Sequence, residues 1–597
     1  MDDAADDDGI SPAAPALVPA RRRARRRWIV AGILVVVVGW LAVAGLQLLA
    51  ARRAAVRGID RLEAFKRTLS PAELIRGHGL DELRRAERDF ASAGDDLGSP
   101  FVAPLRYLPV LGRQVRSVDA LTHSARHVIG AGTTAVTDAR REIHGRQSSG
   151  PGRVAIVERL GGIAARTSLR LRSVDLGPSE ALVGPVARAR DRFARELDRL
   201  REGLHSTSTA SRGMSDFLRG PSRYLVLAAN NAEMRGGSGM WLSAGELSVD
   251  RGSFHVDHMQ PTSELILDPA IAPPIEDADL DARWGWMAPN REWRNLAASP
   301  RFAPNAELAA SMWKARTGRQ VDGVLVLDPV ALRAVLAATG PVEVDGLVLD
   351  ESNVVDEILH KQYQDFPVDA EQSASRRHEI LSDAAVEVLR ALDGRHWDVA
   401  KLVEELSAAA RGRHLLAWSR LHPEQAAWAA ADVDGGLRPD SVGVAVLSQG
   451  GNKLDQWIVI GARLRTAPSA TGTGVTLDVT LANHAPHGEP VYVAGPTAQL
   501  AEGTYAGILS LTLPGHARDV HLDGTPRLVA AGPDGPAQVV ATRVQLARDQ
   551  EARFRIRWSL PRGARSLSVE PSARVPTVTW RHGVAVWADD RSRTVRW

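Results

Sequence analysis

Cysteine is absent from this 597-residue chain. That excludes disulfides, thiolate nucleophiles and Cys-ligated metals. Lysine is scarce: it occurs only at Lys66, Lys314, Lys361, Lys401 and Lys453, so arginine supplies nearly all the positive charge. An excess of one charge sign is also lacking. Lys+Arg is 74 against Asp+Glu 71, and the pI of about 9.4 rests on that small surplus. Such a balance gives no field that argues for a nucleic-acid partner. Histidines are scattered, no G-x-S-x-G elbow occurs, and no Gly-Lys-Ser/Thr follows a glycine loop. A zinc enzyme, a serine hydrolase and a P-loop therefore lack support. The apolar fraction of 44% lets most of the chain fold, and the length is too great for one core.

Long hydrophobic runs are missing everywhere but once. Residues 28–51, "WIVAGILVVVVGWLAVAGLQLLAA", carry no charge and are long enough to cross ~30 Å of hydrocarbon. Six arginines in "RRRARRR" precede the run, and Arg52, Arg53 and Arg57 follow it. The larger positive cluster favours an N-terminus inside. The alternative is a cleaved signal peptide, but the run is too long for an ordinary apolar region and "LLAARRAA" is a poor cleavage site. The expected arrangement is a single-pass cell-membrane protein. Its disordered cytoplasmic tail is 1–27, its transmembrane helix 28–51, and the bulk is extracytoplasmic.

Residues 52–220 place Leu, Ile, Val and Phe at three- and four-residue spacing among Arg and Glu, which predicts a helical stalk or bundle. The texture changes at Arg223. "YLVLAA" reads as a buried strand, "MWLSAGELSV" as a second and "SFHVDHM" as a third. "NAELAASMWKARTG" reads as a helix closed by Gly318. "VDGVLVLDPVALRAVLAATGPVEVDG" reads as strand, helix, strand, with Asp328 as N-cap before Pro329. That pattern predicts an α/β domain over 221–435 with a mixed sheet and at least one helix-covered face. From 436 to 597, alternating stretches such as "GVTLDVTLANHAP" and "RFRIRWSL" predict a β-sandwich of immunoglobulin-like size. The fold class is thus multidomain α+β.

Candidate sites follow from this layout. Asn230, Asn231, Glu233 and Arg235 stand where a buried strand ends, followed by Gly236, Gly237 and Gly239. Strand ends of α/β sheets often hold ligands. Arg235 and glycine amides could cradle a phosphate while Glu233 holds a cation. The competing reading is a structural loop, with glycines at positive φ and Glu233 paired with Arg235. "RWGWMAPNREWRN" interleaves Trp284, Trp286 and Trp293 with arginines. These indoles could stack on sugar or pack on an isoprenoid, or they could fill a core. Arg376 and Arg377 open a helix, where they suit a pyrophosphate or form a solvated face.

"RYLVLAANNAEMRGGSG", "VDGVLVLDPVALRAVLAATGPVEVDG" and "NKLDQWIV" resemble the bacterial membrane-anchored proteins grouped as domain of unknown function 4012, over about 220 to 560. The Asn-Asn-x-Glu-x-Arg signature carries that resemblance. It implies a fold and a cell-envelope setting, not a reaction. The order of the strand-helix-strand, "ILHKQYQDF" and "SRRHEILSDAAVEVL" is also similar to the LytR-CpsA-Psr wall-glycopolymer ligases, whose chemistry uses arginines and magnesium on a polyprenyl pyrophosphate. Tyr363, Arg376 and Arg377 fall at matching places, but Asp365 stands where those ligases carry an arginine. The implied function is assembly or attachment of a cell-envelope glycopolymer. Arg235 and Glu233 would act at the reacting centre, and Asn230, Asn231, Tyr363, Arg376, Arg377 and the tryptophans on a polyprenyl-linked glycan. The alternative is a non-catalytic scaffolding or glycan- or protein-binding protein.

Overall fold

The computed structural model describes the backbone of residues 21–68, 71–144, 150–364, 371–394, 397–524 and 526–597. Side chains are described over the same residues except 21–34, 66–72, 75, 144 and 371–379. The expected disordered tail lies outside them up to residue 20. From Arg21 the chain is already helical, in a helix Arg21–Thr68 that runs straight through the apolar stretch. No proline interrupts it, and arginine is a good helix former. Over Val35–Phe65 this helix is long and apolar enough to cross a membrane.

The chain divides into two compact units. The first comprises the helix Arg21–Thr68 with residues 80–131 and 173–197. Here the helix Leu80–Gly98 lays Ala86 and Phe90 against Ala55 and Leu62, and Ala125, Ile129 and Phe193 complete the cluster. A Cβ on Gly58 would stand 2.7 Å from the Phe90 ring, so glycine is what lets these helices approach so closely.

The second unit holds residues 69–79, 132–172 and 198–597. The helix Gly150–Arg172 and the end of the helix Gly184–Arg219 belong to it, because Val154, Phe217 and Leu218 sit in its core. The expected stalk therefore does not end at one boundary near 220.

Its first sheet is built from β1 (Ser222–Met234), β2 (Gly239–Asp250), β3 (Ser253–Val256), β4 (Gln260–Pro261) and β5 (Gly323–Leu327). A hairpin of β6 (Val342–Val344) and β7 (Leu347–Leu349) stands apart, and β8 (Leu415–Ser419) closes the far edge. The order is β3-β2-β1-β5-β8, with β4 beside β2. β1 pairs antiparallel with β2 and parallel with β5, and β8 is antiparallel to β5. The sheet is mixed, as expected, but one detail differs. The strand after the helix Pro329–Thr339 is β6, which pairs only with β7 and not with the main sheet. The strand-helix-strand pattern was legible; that its second strand stays out of the main sheet was not, because β6 has just three residues and turns back into a hairpin with β7.

β1 is apolar on both sides for a clear reason. Successive side chains of a strand point to opposite faces. Tyr224, Val226 and Ala228 enter a core with the helices Pro329–Thr339, Glu371–Gly394 and Val399–Arg411. Leu225, Leu227 and Ala229 enter another core with Trp284, Trp293 and the helix Phe302–Thr317. Gly318 ends that last helix in the left-handed region, φ 73°, as its position predicts.

The remaining strands are β9 (Ser441–Ser448), β10 (Ile458–Pro468), β11 (Gly472–Asn483), β12 (Tyr505–Pro514), β13 (Arg518–Leu522) and β14 (Leu528–Asp534). They are followed by β15 (Ala537–Leu546), β16 (Glu551–Pro561), β17 (Ser566–Glu570), β18 (Thr579–His582), β19 (Ala585–Trp587) and β20 (Arg593–Arg596). They form two six-stranded sheets, β13-β16-β11-β10-β18-β19 and β14-β15-β12-β9-β17-β20. Both contribute to one hydrophobic cluster, with Val444, Leu464, Leu477, Leu511 and Ile556. The second of these sheets is apolar on its other face too: Leu447, Ile508, Val539 and Ala541 join the core beneath β1. β9 is buried along its whole length for that reason.

Candidate functional site

The Asn-Asn-x-Glu-x-Arg segment sits in a break of the β1–β2 ladder. Asn230 pairs with Met240 and Met234 with Gly239, so residues 231–233 bulge from the register. A bulge re-aims side chains out of the sheet. Here Asn231 and Glu233 meet partners in the β9–β20 region, the Ala573 carbonyl and Lys453.

Asn230 donates from Nδ2 to the Tyr363 hydroxyl at 2.9 Å and accepts from the Ala232 amide at 2.9 Å. Asn231 donates from Nδ2 to Asp328 Oδ2 and to the Ala573 carbonyl, both at 2.7 Å. Glu233 pairs with the Lys453 ammonium, which also lies 4.9 Å from the Tyr363 ring centre and 5.1 Å from that of Tyr492. Burial opposes the lysine charge, but Glu233 and the two tyrosines more than offset it and raise the pKa above the ordinary lysine value. The Met234 amide donates to Asp455 Oδ2 at 3.0 Å. Asp455 is itself held by Arg574 and by the Tyr505 hydroxyl, each at 3.2 Å.

Arg235 is 4% exposed. Its Nε donates to the Arg294 carbonyl at 2.7 Å, and its Nη1 donates to the Met234 and Ser448 carbonyls at 2.9 Å each. Burial pulls its pKa below the ordinary arginine value. The ion pair with Glu233 that the competing loop reading gave is replaced by these carbonyls, and the guanidinium faces the chain rather than a groove.

The glycines are not a phosphate cradle either. The Gly237 amide donates to the Ala297 carbonyl at 2.9 Å, and the Arg235 amide to the Ser238 carbonyl at 2.8 Å. Gly236, Gly237 and Gly239 do not adopt positive φ. Glycine is needed for proximity: a Cβ on Gly236 would stand 2.1 Å from the Ala298 carbonyl oxygen.

Asp328 is the N-cap that the sequence predicts, accepting from the Val330 and Ala331 amides at 2.9 and 3.1 Å. Its other oxygen does more. It accepts from Asn231 and lies 2.6 Å from His414 Nδ1, while His414 Nε2 contacts Asp590. Burial disfavours an imidazolium here, yet Asp328 and Asp590 outweigh it and push the His414 pKa up to about 10.

The tryptophans divide. Trp284 and Trp293 are fully buried, and Trp293 Nε1 donates to the Leu265 carbonyl at 2.8 Å. Trp286 is half exposed, with the Arg543 guanidinium 5.9 Å from its ring. The neighbouring arginines are engaged: Arg283 donates to the Pro533 carbonyl, Arg291 to the Leu267 carbonyl and Arg294 to Glu292. Farther on, Arg301 bridges Asp277 and Asp534. These bonds fasten the loop to β14 and to itself.

Tyr363 is buried and joins the signature through Asn230. Arg376 and Arg377 lie on the helix Glu371–Gly394, but their side chains, like residue 365, fall outside the described residues. Among the described residues no three His, Asp or Glu side chains come together as a metal-ligating group. Glu233 does not fit a magnesium ion: its carboxylate already faces an ammonium.

The residues that sequence reasoning missed are Lys453, Asp455, His414, Asp590 and Arg574. Two had a visible signal. Lys453 is one of five lysines, and with Asp455 it sits in the quoted stretch "NKLDQWIV" beside apolar residues. Charges placed in an apolar stretch are candidates for buried pairing.

The comparisons agree with the resemblance over part of its span. Residues 219–363 match the family model described as protein of unknown function (DUF4012). No curated protein and no solved structure matches the chain. The family match ends at Tyr363, yet the partners of its signature include Ser448, Lys453, Asp455 and Ala573.

Proposed function

We propose that this chain, with its DUF4012 stretch, is a single-pass cell-envelope protein, N-terminus inside, whose extracytoplasmic body is a non-catalytic scaffolding or binding module. In this reading the two six-stranded sheets form a β-sandwich, and the signature is the rigid joint that fixes the mixed sheet to it. The observation that carries the proposal is that the charged and donating groups of the signature are engaged inside the protein, although Asn231 Oδ1 is buried without a hydrogen-bond partner. Asn231, Glu233 and Arg235 are each consumed by partners more than two hundred residues away or by a helix cap. A ligand site would keep some of these groups open toward a groove.

The glycopolymer-ligase reading loses Arg235 as its anion-binding group and Glu233 as its cation-binding group. Its remaining support is Arg376, Arg377 and the arrangement of Trp286 beside Arg543. The deciding measurement uses the full chain in phospholipid vesicles with magnesium. Binding of polyprenyl pyrophosphate is compared with binding of polyprenol for the parent, for Arg235→Ala and for the double variant Arg376→Ala/Arg377→Ala. The scaffold reading expects no preference for the pyrophosphate in any of them, and a lower melting temperature for Arg235→Ala alone. A clear preference in the parent that the double variant abolishes would overturn it.

A further inference from the structure

The segment between the helices Leu80–Gly98 and Leu111–His144 reads "SPFVAPLRYLPV". Its Val102 and Leu105, together with Val115, are buried against Trp40, Ala44 and Leu48 of the N-terminal helix. Those three residues lie in the C-terminal half of the apolar run 28–51. Trp40 is eleven residues from Ala51, about 16 Å along a helix, which is roughly half of the ~30 Å hydrocarbon layer. A hairpin tip packed on that stretch is carried to the same depth as the helix.

What the tip presents outward matches that setting. Phe101, Tyr107, Leu108, Val110 and Leu111 are 43–89% exposed, and no acidic residue occurs between Gly98 and Gly112. Large apolar side chains scattered singly on a surface are ordinary, but a contiguous group marks a contact surface. The one charge in the segment, Arg106, is folded back onto Asp119 at 3.0 Å and the Leu97 carbonyl at 3.3 Å. The backbone satisfies part of its own demand: a 3-10 turn spans Ala103–Tyr107, and the Gly112 amide donates to the Leu108 carbonyl at 2.9 Å. Backbone that enters lipid must find its partners internally. Arg113 and Arg116, both exposed, follow the tip and suit a headgroup layer.

We propose that this hairpin tip enters the leaflet on the side of the main body, giving the chain a second, interfacial membrane contact beside its spanning helix. The occupant of the exposed apolar face is lipid, because the residues it packs beside are those that the bilayer surrounds. The proposal rests on the reading of residues 28–51 as a membrane anchor.

The chain has no cysteine, so single substitutions give unambiguous labels. Val38→Cys, Tyr107→Cys, Val110→Cys and Val584→Cys would each be made in the full chain, reconstituted into vesicles of phosphatidylcholine and phosphatidylglycerol, and labelled with an environment-sensitive fluorophore. All four native side chains are exposed, so the substitutions leave the packing intact. Brominated lipids should quench the probes at positions 38, 107 and 110 and leave position 584 unaffected. A water-soluble maleimide should label 107 and 110 as poorly as 38. Quenching at 38 with free aqueous labelling at 107 and 110 would overturn the tip insertion and leave the anchor standing. Loss of quenching at 38 as well would overturn both.

Discussion

Exposed ion pairs of the helical unit and buried ion pairs of the sheet-built body put the same residue types to opposite uses. In the helical unit, Arg84 pairs with Asp81 and Arg85 with Glu82, one turn apart and with side chains 42–81% exposed. In the body, Arg574 and Asp455 form a pair with 1% and 0% exposure, and His414 and Asp328 one with 4% and 2%. An exposed pair gains little because water already solvates both partners. A buried pair is different: the intact pair offsets its own desolvation, but losing one partner strands a charge in low dielectric. Arg84 and Arg85 are therefore replaceable, whereas Arg574 in the body is not.

The largest break should come from Arg574→Met. It removes the partner of Asp455 and two donations to the Asp455 and Ile458 carbonyls. The expected loss is about 3–5 kcal/mol, measured as the urea midpoint by tryptophan fluorescence. That signal reports the body, since only Trp28 and Trp40 lie in the helical unit. A loss below about 1 kcal/mol would mean that the pair is no more than a surface contact.

His414→Gln should cost somewhat less, because Asp590 keeps some contact with water, and its cost should depend on pH. The folded pKa is raised from 6.5 to about 10. Stability from the imidazolium is then fully present below pH 6.5 and is lost as pH rises through 10. The gap between the parent and His414→Gln should narrow steadily across that window. A gap that stays constant would show that the imidazole contributes through packing and not through charge.

Gly236→Ala probes the joint without touching a charge. The new Cβ would meet the Ala298 carbonyl oxygen at 2.1 Å, and backbone must shift to relieve it. Overpacking of this kind costs about 1–3 kcal/mol, again read from the urea midpoint. An unchanged midpoint would mean that the loop 297–299 gives way freely.

These differences also explain what was legible. The Asp328–Pro329 cap, the Gly318 stop, the helical stripes and the β1 strand depend on neighbours within a few residues, so the sequence displays them. The joint depends on pairs 213 to 342 residues apart, such as Arg235 with Ser448 and Asn231 with Ala573. Nothing local distinguishes an arginine that will bind three carbonyls from one that will bind a phosphate. β6 misled for a related reason: a three-residue strand carries the right alternation whether it joins the large sheet or a hairpin. The bulge at 231–233 was hidden too, since it is a property of two strands in register and not of either alone.

The smallest effect sharpens the other side of the comparison. Arg84→Ala removes a pair at 3.1 Å in which Arg84 is 56% and Asp81 81% exposed. Alanine is a better helix former than arginine by a small margin, and an exposed pair one turn apart contributes about 0.2–0.5 kcal/mol. The two nearly cancel, so amide hydrogen exchange across Leu80–Gly98 should change by less than about threefold, within ~0.6 kcal/mol. A larger acceleration would mean that the stalk arginines act as a network rather than as separate pairs. Arg61 is the residue through which that would happen, because its guanidinium reaches both Asp89 and Glu82, and Arg61→Ala would then exceed Arg84→Ala severalfold.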